Sequence, residues 1–374
     1  MRIALLTRRW DRAGGGTERD LIITARCLRD AGHAITIYAE EIRGEPEGWR
    51  VRRVGNPRLG RSLSMLRFAF VAAPVARRER TDLVLSFARA VGADILRSGG
   101  GAHSSYLRAA RKWRGALGGA LMRVQPYHIA QLVAERRAFN SHQLKKIIAV
   151  SNLVRDDLIR EFGLAPSMLT TIYNGVDLAR FTPASTADER ARVRAQLSLP
   201  FEARVALFVG NGFARKGLGF LIEAWPMLKS KAHLLVVGGD RELGRYRRRA
   251  ALLGVGERIL FAGPQGSVER IFRGADGLAL PSLFEPFGNV VLEAMASGLP
   301  AMTSAFCGVS EILPPAMREF CVPDPANIRD LADRLDALME SRSTLRAEAR
   351  AAAEQFTWEH YATELDTLIR ATPH

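Results

Sequence analysis

The sequence predicts an α/β protein with two doubly wound domains. Short apolar runs alternate with helical patterns from end to end of the 374 residues. The apolar runs are continuous in Val, Ile and Leu, which is typical of strands in parallel sheets that helices cover on both faces. The length suffices for two or three domains, and a hydrophobic content of 47% can fill their cores. Two such domains would leave a cleft where the carboxyl ends of their strands face each other, and ligands bind at such ends.

The first half of the chain carries the pattern of one sheet and its helices. A helix is predicted over residues 17–31, between strands at residues 2–7 and 34–39. Further strands are predicted at residues 82–86, 93–96 and 146–150. Strands that alternate with helical patterns favour parallel pairing within a single sheet.

The second half repeats the alternation more clearly. Its predicted strands are residues 205–209, 233–237, 258–261, 277–280 and 299–303. A turn sequence at residues 173–177 and a charged segment that ends at Pro200 separate the halves. We therefore predict one domain over residues 1–172 and a second over residues 173–355. A final helix, in residues 356–374, is expected to pack back on the first domain.

The charge of the chain predicts an anionic partner. The formal net charge is +15 and the sequence pI is about 10.6. Most of the excess lies in residues 50–123, which contain sixteen basic and three acidic residues. Such a surplus favours a phosphate-rich substrate, an anionic lipid-linked acceptor or a membrane surface. Aromatic residues are sparse there and form no base-stacking pattern, so nucleic acid is not the expected partner.

The cysteines and the apolar segments predict a cytoplasmic protein. Cys27, Cys307 and Cys321 are isolated and lack the spacing of a metal site, which favours a reducing compartment. The first apolar run is too short for a signal peptide, and the run at residues 68–76 is far shorter than the roughly 20 residues that span a bilayer. We expect peripheral contact with the inner membrane rather than insertion.

Two glycine-containing loops follow predicted first strands and could approach a phosphate. Gly14-Gly-Gly16-Thr17 opens the first helix, and the alternative is a flexible loop with Thr17 as a cap. Gly210-Asn-Gly-Phe-Ala-Arg215-Lys216-Gly217 places two adjacent cations at the start of a helix. Both cations could bind a diphosphate, Arg215 in bidentate fashion, whereas the alternative is a solvated surface pair.

A lone histidine lies in a predicted loop after the strand at residues 93–96. His103 follows three consecutive glycines, which indicates a loop near chemistry. The alternative is a structural or helix-capping histidine. Asp94 is a rival carboxylate in the same segment, and a structural role is the expected one for it.

The segment from Glu285 to Glu293 is predicted to contact two parts of one ligand. Glu285 is predicted in a loop at a strand end, where a carboxylate can meet a ligand. Asn289 is predicted to cap the next helix, whose free N–H groups favour an anion. Glu293 would lie about one turn inside that helix.

These motifs resemble glycosyltransferase family 4. Glu285 to Glu293 matches its E-x7-E motif, and Gly210 to Gly217 is similar to its Arg-Lys-Gly segment. Val150-Ser151 and residues 174–177 resemble its inter-domain signature, and Gly14–Gly16 its donor-phosphate loop. Within the family, residues 15–20 and the overall length resemble lipopolysaccharide core glucosyltransferases. The resemblance implies a GT-B fold, with two Rossmann-like domains facing a central cleft, and retaining sugar transfer without a bound metal. The domain at residues 1–172 would then bind the acceptor, and the domain at residues 173–355 would bind the nucleotide sugar.

The resemblance also implies roles for individual residues. Arg215 and Lys216 would neutralise the donor diphosphate, Glu285 would meet the donor sugar, and Glu293 would bind the ribose. His103 would act near the acceptor as a candidate catalytic residue. The nucleotide-sugar site would comprise Gly15, Gly16, Gly210, Arg215, Lys216, Phe287, Gly288, Asn289, Val290 and Glu293.

The expected function is therefore that of a retaining hexosyltransferase. It would move a hexose, with glucose the expected one, from a UDP-sugar to an anionic lipid-linked glycan such as a lipopolysaccharide inner core. No cofactor or metal is expected, since no suitable Asp-x-Asp pair is present. Two alternatives are a nucleotide-sugar epimerase of the same fold and a non-catalytic basic module that binds membrane or RNA.

Overall fold

The computed structural model describes residues 1–11, 14–44, 48–54 and 60–373 and contains two compact units. The first unit comprises Met1–Asn174 and Trp358–His374, and the second comprises Gly175–Thr357. Each unit is built on a sheet in which every described strand pair is parallel. The prediction of two doubly wound α/β domains is therefore confirmed.

The sheet of the first unit has seven described strands. They are β1 (Arg2–Asp11), β2 (Ala34–Arg43), β3 (Val51–Arg53), β4 (Leu83–Ser86), β5 (Ile95–Ser98), β6 (Lys146–Ala149) and β7 (Leu169–Thr171). Their order across the sheet is β3-β2-β1-β4-β5-β6-β7. The direction of strand addition reverses between β1 and β4, and the carboxyl ends of strands at such a reversal form a preferred ligand site.

The sheet of the second unit has six described strands. They are β8 (Val205–Val209), β9 (His233–Val237), β10 (Ile259–Gly263), β11 (Gly277–Ala279), β12 (Ala301–Ser304) and β13 (Cys321–Val322). The order is β10-β9-β8-β11-β12-β13, so the reversal lies between β8 and β11. The segments that carry Arg215 and Glu285 follow these two strands.

The helices surround the two sheets. The first unit contains α1 (Gly16–Asp30), α2 (Arg61–Arg78), α3 (His103–Arg123), α4 (Pro126–Phe139), α5 (Asn152–Phe162) and α13 (Trp358–Ala371). The second contains α6 (Ala187–Gln196), α7 (Leu218–Ala224), α8 (Leu243–Leu252), α9 (Val268–Gly274), α10 (Asn289–Ala296), α11 (Ile328–Ser341) and α12 (Arg346–Ala353).

Local sequence explains the central elements. Every residue of β8 is buried, as the continuous apolar run predicts. Helix α1 buries Leu21, Ala25 and Leu28 on one face, at the spacing of an amphipathic helix. Helix α5 begins where the Ser151 hydroxyl accepts a hydrogen bond from the Val154 N–H.

Several elements were not predicted. The strands β3, β7 and β13 contain only two or three residues and lie at the outer parts of their sheets. So short a strand has no measurable periodicity. Helix α2 continues through Pro74, which would ordinarily mark a helix boundary. Helix α3 contains a kink at Gly115, whose φ of 74° is not helical.

The final helix belongs to the core of the first unit. Tyr361, Leu365 and Ile369 of α13 are buried in the same apolar cluster as residues of β1 and α1. The Tyr361 hydroxyl lies 2.9 Å from the Thr24 hydroxyl of α1, and both groups are buried. Helix α13 is thus part of the core that β1 and α1 form.

Candidate active site

Glycines position the Arg215–Lys216 segment after β8. Gly217 has a φ of 82°, and a Cβ there would lie 2.1 Å from the Pro281 carbonyl oxygen. Only glycine permits both this conformation and this close approach. The start of α7 is therefore held against the chain that leaves β11. This contact brings the two segments together at the strand reversal of the second sheet.

Arg215, Lys216 and Glu285 form one ion cluster. Arg215 Nη1 donates to Glu285 Oε2 at 2.8 Å and to the Phe284 carbonyl at 2.7 Å. Lys216 Nζ donates to the same Glu285 oxygen at 2.7 Å. Two cations thus share one carboxylate, and the cluster carries a net positive charge.

The cluster is largely shielded from water. The exposed fractions of the Lys216 and Glu285 side chains are 11% and 14%, and that of Arg215 is 27%. Burial by itself would raise the pKa of Glu285, but Lys216 and Arg215 outweigh it and hold the pKa at about 2. Glu285 is therefore ionised at neutral pH, and it locks the two cations in place.

Gly210 leaves room for the Lys216 side chain because it has no Cβ. A Cβ at Gly210 would lie 2.5 Å from Lys216 Cε, so the lysine stem passes directly over this glycine. Gly210 N donates to the Val237 carbonyl of β9 at 2.9 Å, which fixes the loop to the sheet. The structure therefore brings Gly210, Arg215, Lys216 and Glu285 together.

The start of α10 corrects the prediction for Asn289. Gly288, with a φ of 104°, is the cap residue, and Asn289 is the first residue of the helix. No side chain caps this helix end, so the predicted Asn289 cap is wrong. A Cβ at Gly288 would lie 2.6 Å from Cys307 Sγ, so a side-chain-bearing cap residue does not fit.

The remaining predicted residues of this segment are buried around the same helix. Glu293 lies one turn inside α10 and is buried, as are Phe287 and Val290. The Phe287 carbonyl accepts hydrogen bonds from the Val309 N–H at 2.7 Å and from Cys307 Sγ at 3.1 Å. These bonds join the backbone before α10 to residues 307–309.

The glycine loop of the first unit opens α1. Gly15 is the cap residue of this helix, and no side chain caps it, so Thr17 is not the cap. A Cβ at Gly16 would meet no atom within 4 Å, whereas one at Gly15 would approach Glu18. The space around Gly16 is open enough for a ligand to reach its backbone.

His103 lies at the first position of α3, so its predicted place in a loop is wrong. Its backbone N–H donates to Glu135 Oε2 at 2.9 Å, and its Nε2 lies 2.9 Å from Nδ1 of His128. Burial, with the charges of Arg89 and His128, lowers the pKa of His103 to about 4. The imidazole is therefore neutral at pH 7 and can donate or accept a hydrogen bond.

A cavity in the first unit was missed by sequence reasoning. It has a volume of about 470 Å³ and lies where β1, β2 and β4 approach their carboxyl ends. Its polar lining includes Arg8, Arg9, Glu18, Glu40, Glu41, Arg61, Arg89, Tyr127 and Gln131. The cavity lies at the reversal of strand order between β1 and β4, so a prediction of that order would have indicated this position as a ligand site.

Spatial neighbours neutralise much of the basic segment 50–123. Arg97 is buried against Asp20 at 3.0 Å, and Arg89 pairs with Glu135 at 3.0 Å. Asp94 binds Arg77 at 2.8 Å and the Val84 N–H at 2.9 Å, which is a structural role. Arg58 lies outside the described residues. The local surplus in the sequence is thus larger than the surplus at the surface.

The structure gives two further findings about sites. Among the described residues, no group of three or more His, Cys, Asp or Glu side chains could hold a metal ion. Of the helices in the described ranges, none has the length and apolar character needed to cross a bilayer.

Two family models match consecutive parts of the chain. Residues 14–180 match the family described as Glycosyltransferase Family 4, and residues 189–356 match Glycosyl transferases group 1. The chain belongs to the glycosyltransferases. Their GT-B fold is confirmed by the two parallel-sheet units and by the similarity to WaaG, a glycosyltransferase involved in lipopolysaccharide biosynthesis. That crystal structure has a TM-score of 0.81 and 21% identity, over 99% of this chain and 100% of WaaG.

Several curated relatives of this glycosyltransferase are named D-inositol 3-phosphate glycosyltransferase. The one from Jonesia denitrificans is 29% identical over 65% of this chain and 60% of its own length. The one from Streptomyces bingchenggensis is 32% identical over 63% of this chain and 54% of its own length. The chain thus spans little more than half the length of these relatives.

A further solved structure similar to this glycosyltransferase is HepE of Anabaena in complex with UDP-glucose. It superimposes with a TM-score of 0.74 and 20% identity, covering 99% of this chain and all of HepE. At this identity the similarity establishes a common fold.

Proposed function

We propose that this protein is a retaining hexosyltransferase that moves a hexose, with glucose the expected one, from a UDP-sugar to an anionic lipid-linked glycan such as a lipopolysaccharide inner core. One observation carries the donor assignment. Arg215 and Lys216 share a single carboxylate at the strand reversal of the second sheet. The net positive charge of this shielded cluster favours a diphosphate. The UDP-glucose complex of HepE and the lipopolysaccharide role printed for WaaG support the donor and acceptor classes.

The cation cluster supplies the chemistry that sugar transfer needs. As the anomeric C–O bond breaks, negative charge develops on the leaving diphosphate. Arg215 and Lys216 are already desolvated and held by Glu285, so they stabilise this charge without reorganising solvent. Loss of one such contact commonly costs about 3 kcal/mol of transition-state stabilisation. No bound metal is required for this step, and none is proposed.

The other residues of the site have roles in binding and orientation. Glu293 is proposed to bind the ribose hydroxyls, and Glu285 to meet the donor sugar besides holding the two cations. The backbone of Phe287–Val290 is proposed to bind sugar hydroxyls and phosphate, and Gly15 and Gly16 to approach the phosphates. His103, neutral at pH 7, would interact with the acceptor as a hydrogen-bonding group rather than as a cation.

Nucleotide binding tests the donor assignment. Lys216→Met and Arg215→Gln should each weaken UDP affinity about tenfold or more, because each removes a charge-assisted contact. Isothermal titration calorimetry with UDP measures this directly. Lys229→Met removes an exposed lysine of the same unit and should leave the affinity unchanged. Wild-type affinity in both site variants would remove the diphosphate assignment.

Product formation tests the reaction. Incubation with UDP-glucose and truncated lipopolysaccharide should give a glycan that is heavier by one hexose, with the anomeric configuration of the donor retained. Mass spectrometry and NMR measure the two outcomes. A new sugar nucleotide formed without acceptor would instead identify the epimerase. Absence of transfer across a panel of nucleotide sugars and lipid-linked acceptors would refute the proposed function.

We further propose that α3 contacts the anionic cytoplasmic face of the inner membrane. Beyond the kink at Gly115, Leu117, Leu121 and Val124 are exposed, and they are among the most exposed large apolar residues described. Arg111, Lys112, Arg114 and Arg123 lie on the same helix. Apolar side chains flanked by cations are suited to an interface of acyl chains and anionic headgroups. The membrane would present the lipid-linked acceptor.

A further inference from the structure

The cavity of the first unit contains an uneven set of charges. Its described lining includes four guanidinium groups and three carboxylates. Arg8 Nε binds Glu40 at 2.7 Å, and Arg9 Nε binds Glu41 at 3.2 Å. Arg89, the third cation, pairs with Glu135 behind the cavity wall. Each of these three cations therefore has a carboxylate partner.

Arg61 is the lining cation for which no carboxylate partner is found among the described residues. Its guanidinium lies over the Tyr127 ring, with Cζ 3.9 Å from the ring centroid, in a cation–π contact. Arg61 begins α2, and the first turn of this helix contains no acidic residue. The helix N-terminus thus adds to the positive potential at this side of the cavity.

The cavity lining also offers hydrogen-bond acceptors. Glu40 is buried and is held by Arg8 and by the Ser64 hydroxyl. Glu41 and Glu18 flank Arg9. Carboxylates that are fixed in this way can accept hydrogen bonds from sugar hydroxyls without leaving their own partners.

The cavity is linked to His103 through its wall. Arg89 and His103 bind the two oxygens of the same carboxylate, Glu135. Tyr127 of the cavity packs edge-on against His128, which in turn lies 2.9 Å from His103. A ligand in the cavity would therefore contact Arg89 and Tyr127, each of which is one residue removed from the candidate catalytic histidine.

We propose that this cavity binds the acceptor sugar through an oxyanion on its ring, phosphate or carboxylate, and that Arg61 determines this specificity. The inference rests on the proposed function and gives the acceptor its chemical class, a sugar with an anionic substituent. The guanidinium can donate two parallel hydrogen bonds to either oxyanion, whereas a neutral sugar offers it no opposite charge. Glu40 and Glu41 bind ring hydroxyls.

Binding without turnover tests the proposal. Ligand-observed NMR on the full chain, saturated with UDP to occupy the diphosphate site, measures glucose 6-phosphate, glucuronate and glucose. The wild type should bind at least one anionic probe about tenfold more tightly than glucose. Arg61→Gln should abolish this preference, and Arg61→Lys should restore it in part. Arg67→Gln removes an exposed cation of the same helix outside the cavity lining and should preserve the preference.

The probe preferences of the wild type and of the two glutamine variants decide whether Arg61 determines specificity. A preference for one anionic probe identifies phosphate or carboxylate as the group that binds. Absence of any preference in the wild type, or a preference that survives in Arg61→Gln, overturns the proposal. Loss in both Arg61→Gln and Arg67→Gln would reduce the effect to general attraction and also overturn it. If the preference depends on Arg61 but no nucleotide sugar is transferred, the proposed reaction fails while the cavity assignment stands.

Discussion

Glu285 illustrates how one residue can serve both stability and chemistry. Its carboxylate is the common partner of Arg215 and Lys216, so it offsets the repulsion between two cations that are held close together. Removing one member of a buried ion cluster leaves the other charges without compensation, which is more costly than the net contribution of the pair. The same charge holds the cations in the place where a diphosphate would gain most from them.

Glu285→Gln should therefore lower stability in a manner that depends on pH. The folded pKa of about 2 lies below the ordinary value of 4.5, so the contribution of Glu285 is complete above pH 4.5 and is lost as the pH falls towards 2. Urea denaturation at pH 7 should give a deficit of about 3 kcal/mol in the variant, and the deficit should shrink at pH 3. Glu257→Gln, at an exposed residue of the same unit, should have little effect at either pH. A deficit that is constant with pH would contradict this ionisation.

At the scale of elements, close contacts at two glycines hold loops of the second unit against neighbouring segments. The turn before α7 approaches the carbonyl of Pro281, and the turn before α10 approaches Cys307. Each contact occurs at a glycine with positive φ, Gly217 and Gly288. The ion cluster depends on the first of these contacts, because it joins the segment after β8 to the segment after β11.

Gly217→Ala should destabilise the protein much more than Gly254→Ala. Both glycines have positive φ, at 82° and 69°, so both variants incur a conformational cost of about 1 kcal/mol. A Cβ at Gly254 meets no atom within 4 Å, whereas one at Gly217 would overlap the Pro281 oxygen at 2.1 Å. Chemical denaturation should give a further loss of about 2 kcal/mol or more for Gly217→Ala. Equal losses would mean that the turn can move away from Pro281.

Helix α13 should contribute to the stability of the first unit. Tyr361→Ala removes a buried ring and should cost about 3–5 kcal/mol. Tyr361→Phe removes only the hydroxyl beside Thr24 and should cost about 1 kcal/mol. Thermal or urea denaturation measures both, with Thr363→Ala on the exposed face of α13 as the control. A negligible effect of Tyr361→Ala would contradict the packing of α13 in this core.

At the scale of the whole molecule, the effect of the net charge of +15 on binding to an anionic surface depends on where the unpaired cations lie. Many arginines of residues 50–123 pair with acids that are distant in the sequence, such as Asp20, Glu135 and Glu161. The charge that remains available for an anionic surface is therefore concentrated at fewer positions. The exposed apolar residues of α3 lie near several of these positions in the sequence.

Binding to vesicles should depend on both the charge and the apolar residues of α3. Vesicles that contain anionic phospholipid should bind the protein at low salt and release it towards 1 M salt, where the screening length falls to about 3 Å. Sedimentation should detect weaker binding for Leu117→Ser with Leu121→Ser. Leu252→Ser, at a leucine of α8 that is 79% exposed, is the matched control. Equal binding to neutral vesicles, or no effect of salt, would argue against the proposed surface.

The sequence by itself determined the doubly wound class, the strands β1, β2, β8 and β9, and the segments that carry Arg215 and Glu285. These features depend on residues that are neighbours along the chain, so periodicity and spacing reveal them. Local patterns also misplaced two residues, since Asn289 is not a cap and His103 is not in a loop. In both cases the helix boundary depends on neighbours that are distant in sequence, Cys307 and Glu135.

The tertiary structure alone decided which charges meet. The ion pair of Glu285 with Lys216 joins residues 69 positions apart, and that of Arg97 with Asp20 joins residues 77 apart. The cavity beside β1 and β4 is likewise assembled from strands and helices that no sequence window contains. Which cations remain without a carboxylate depends on distances between elements, and the packing of those elements sets these distances. The sequence therefore indicated the segments that carry Arg215, Lys216 and Glu285, but neither the pairing of their charges nor the cavity of the first unit.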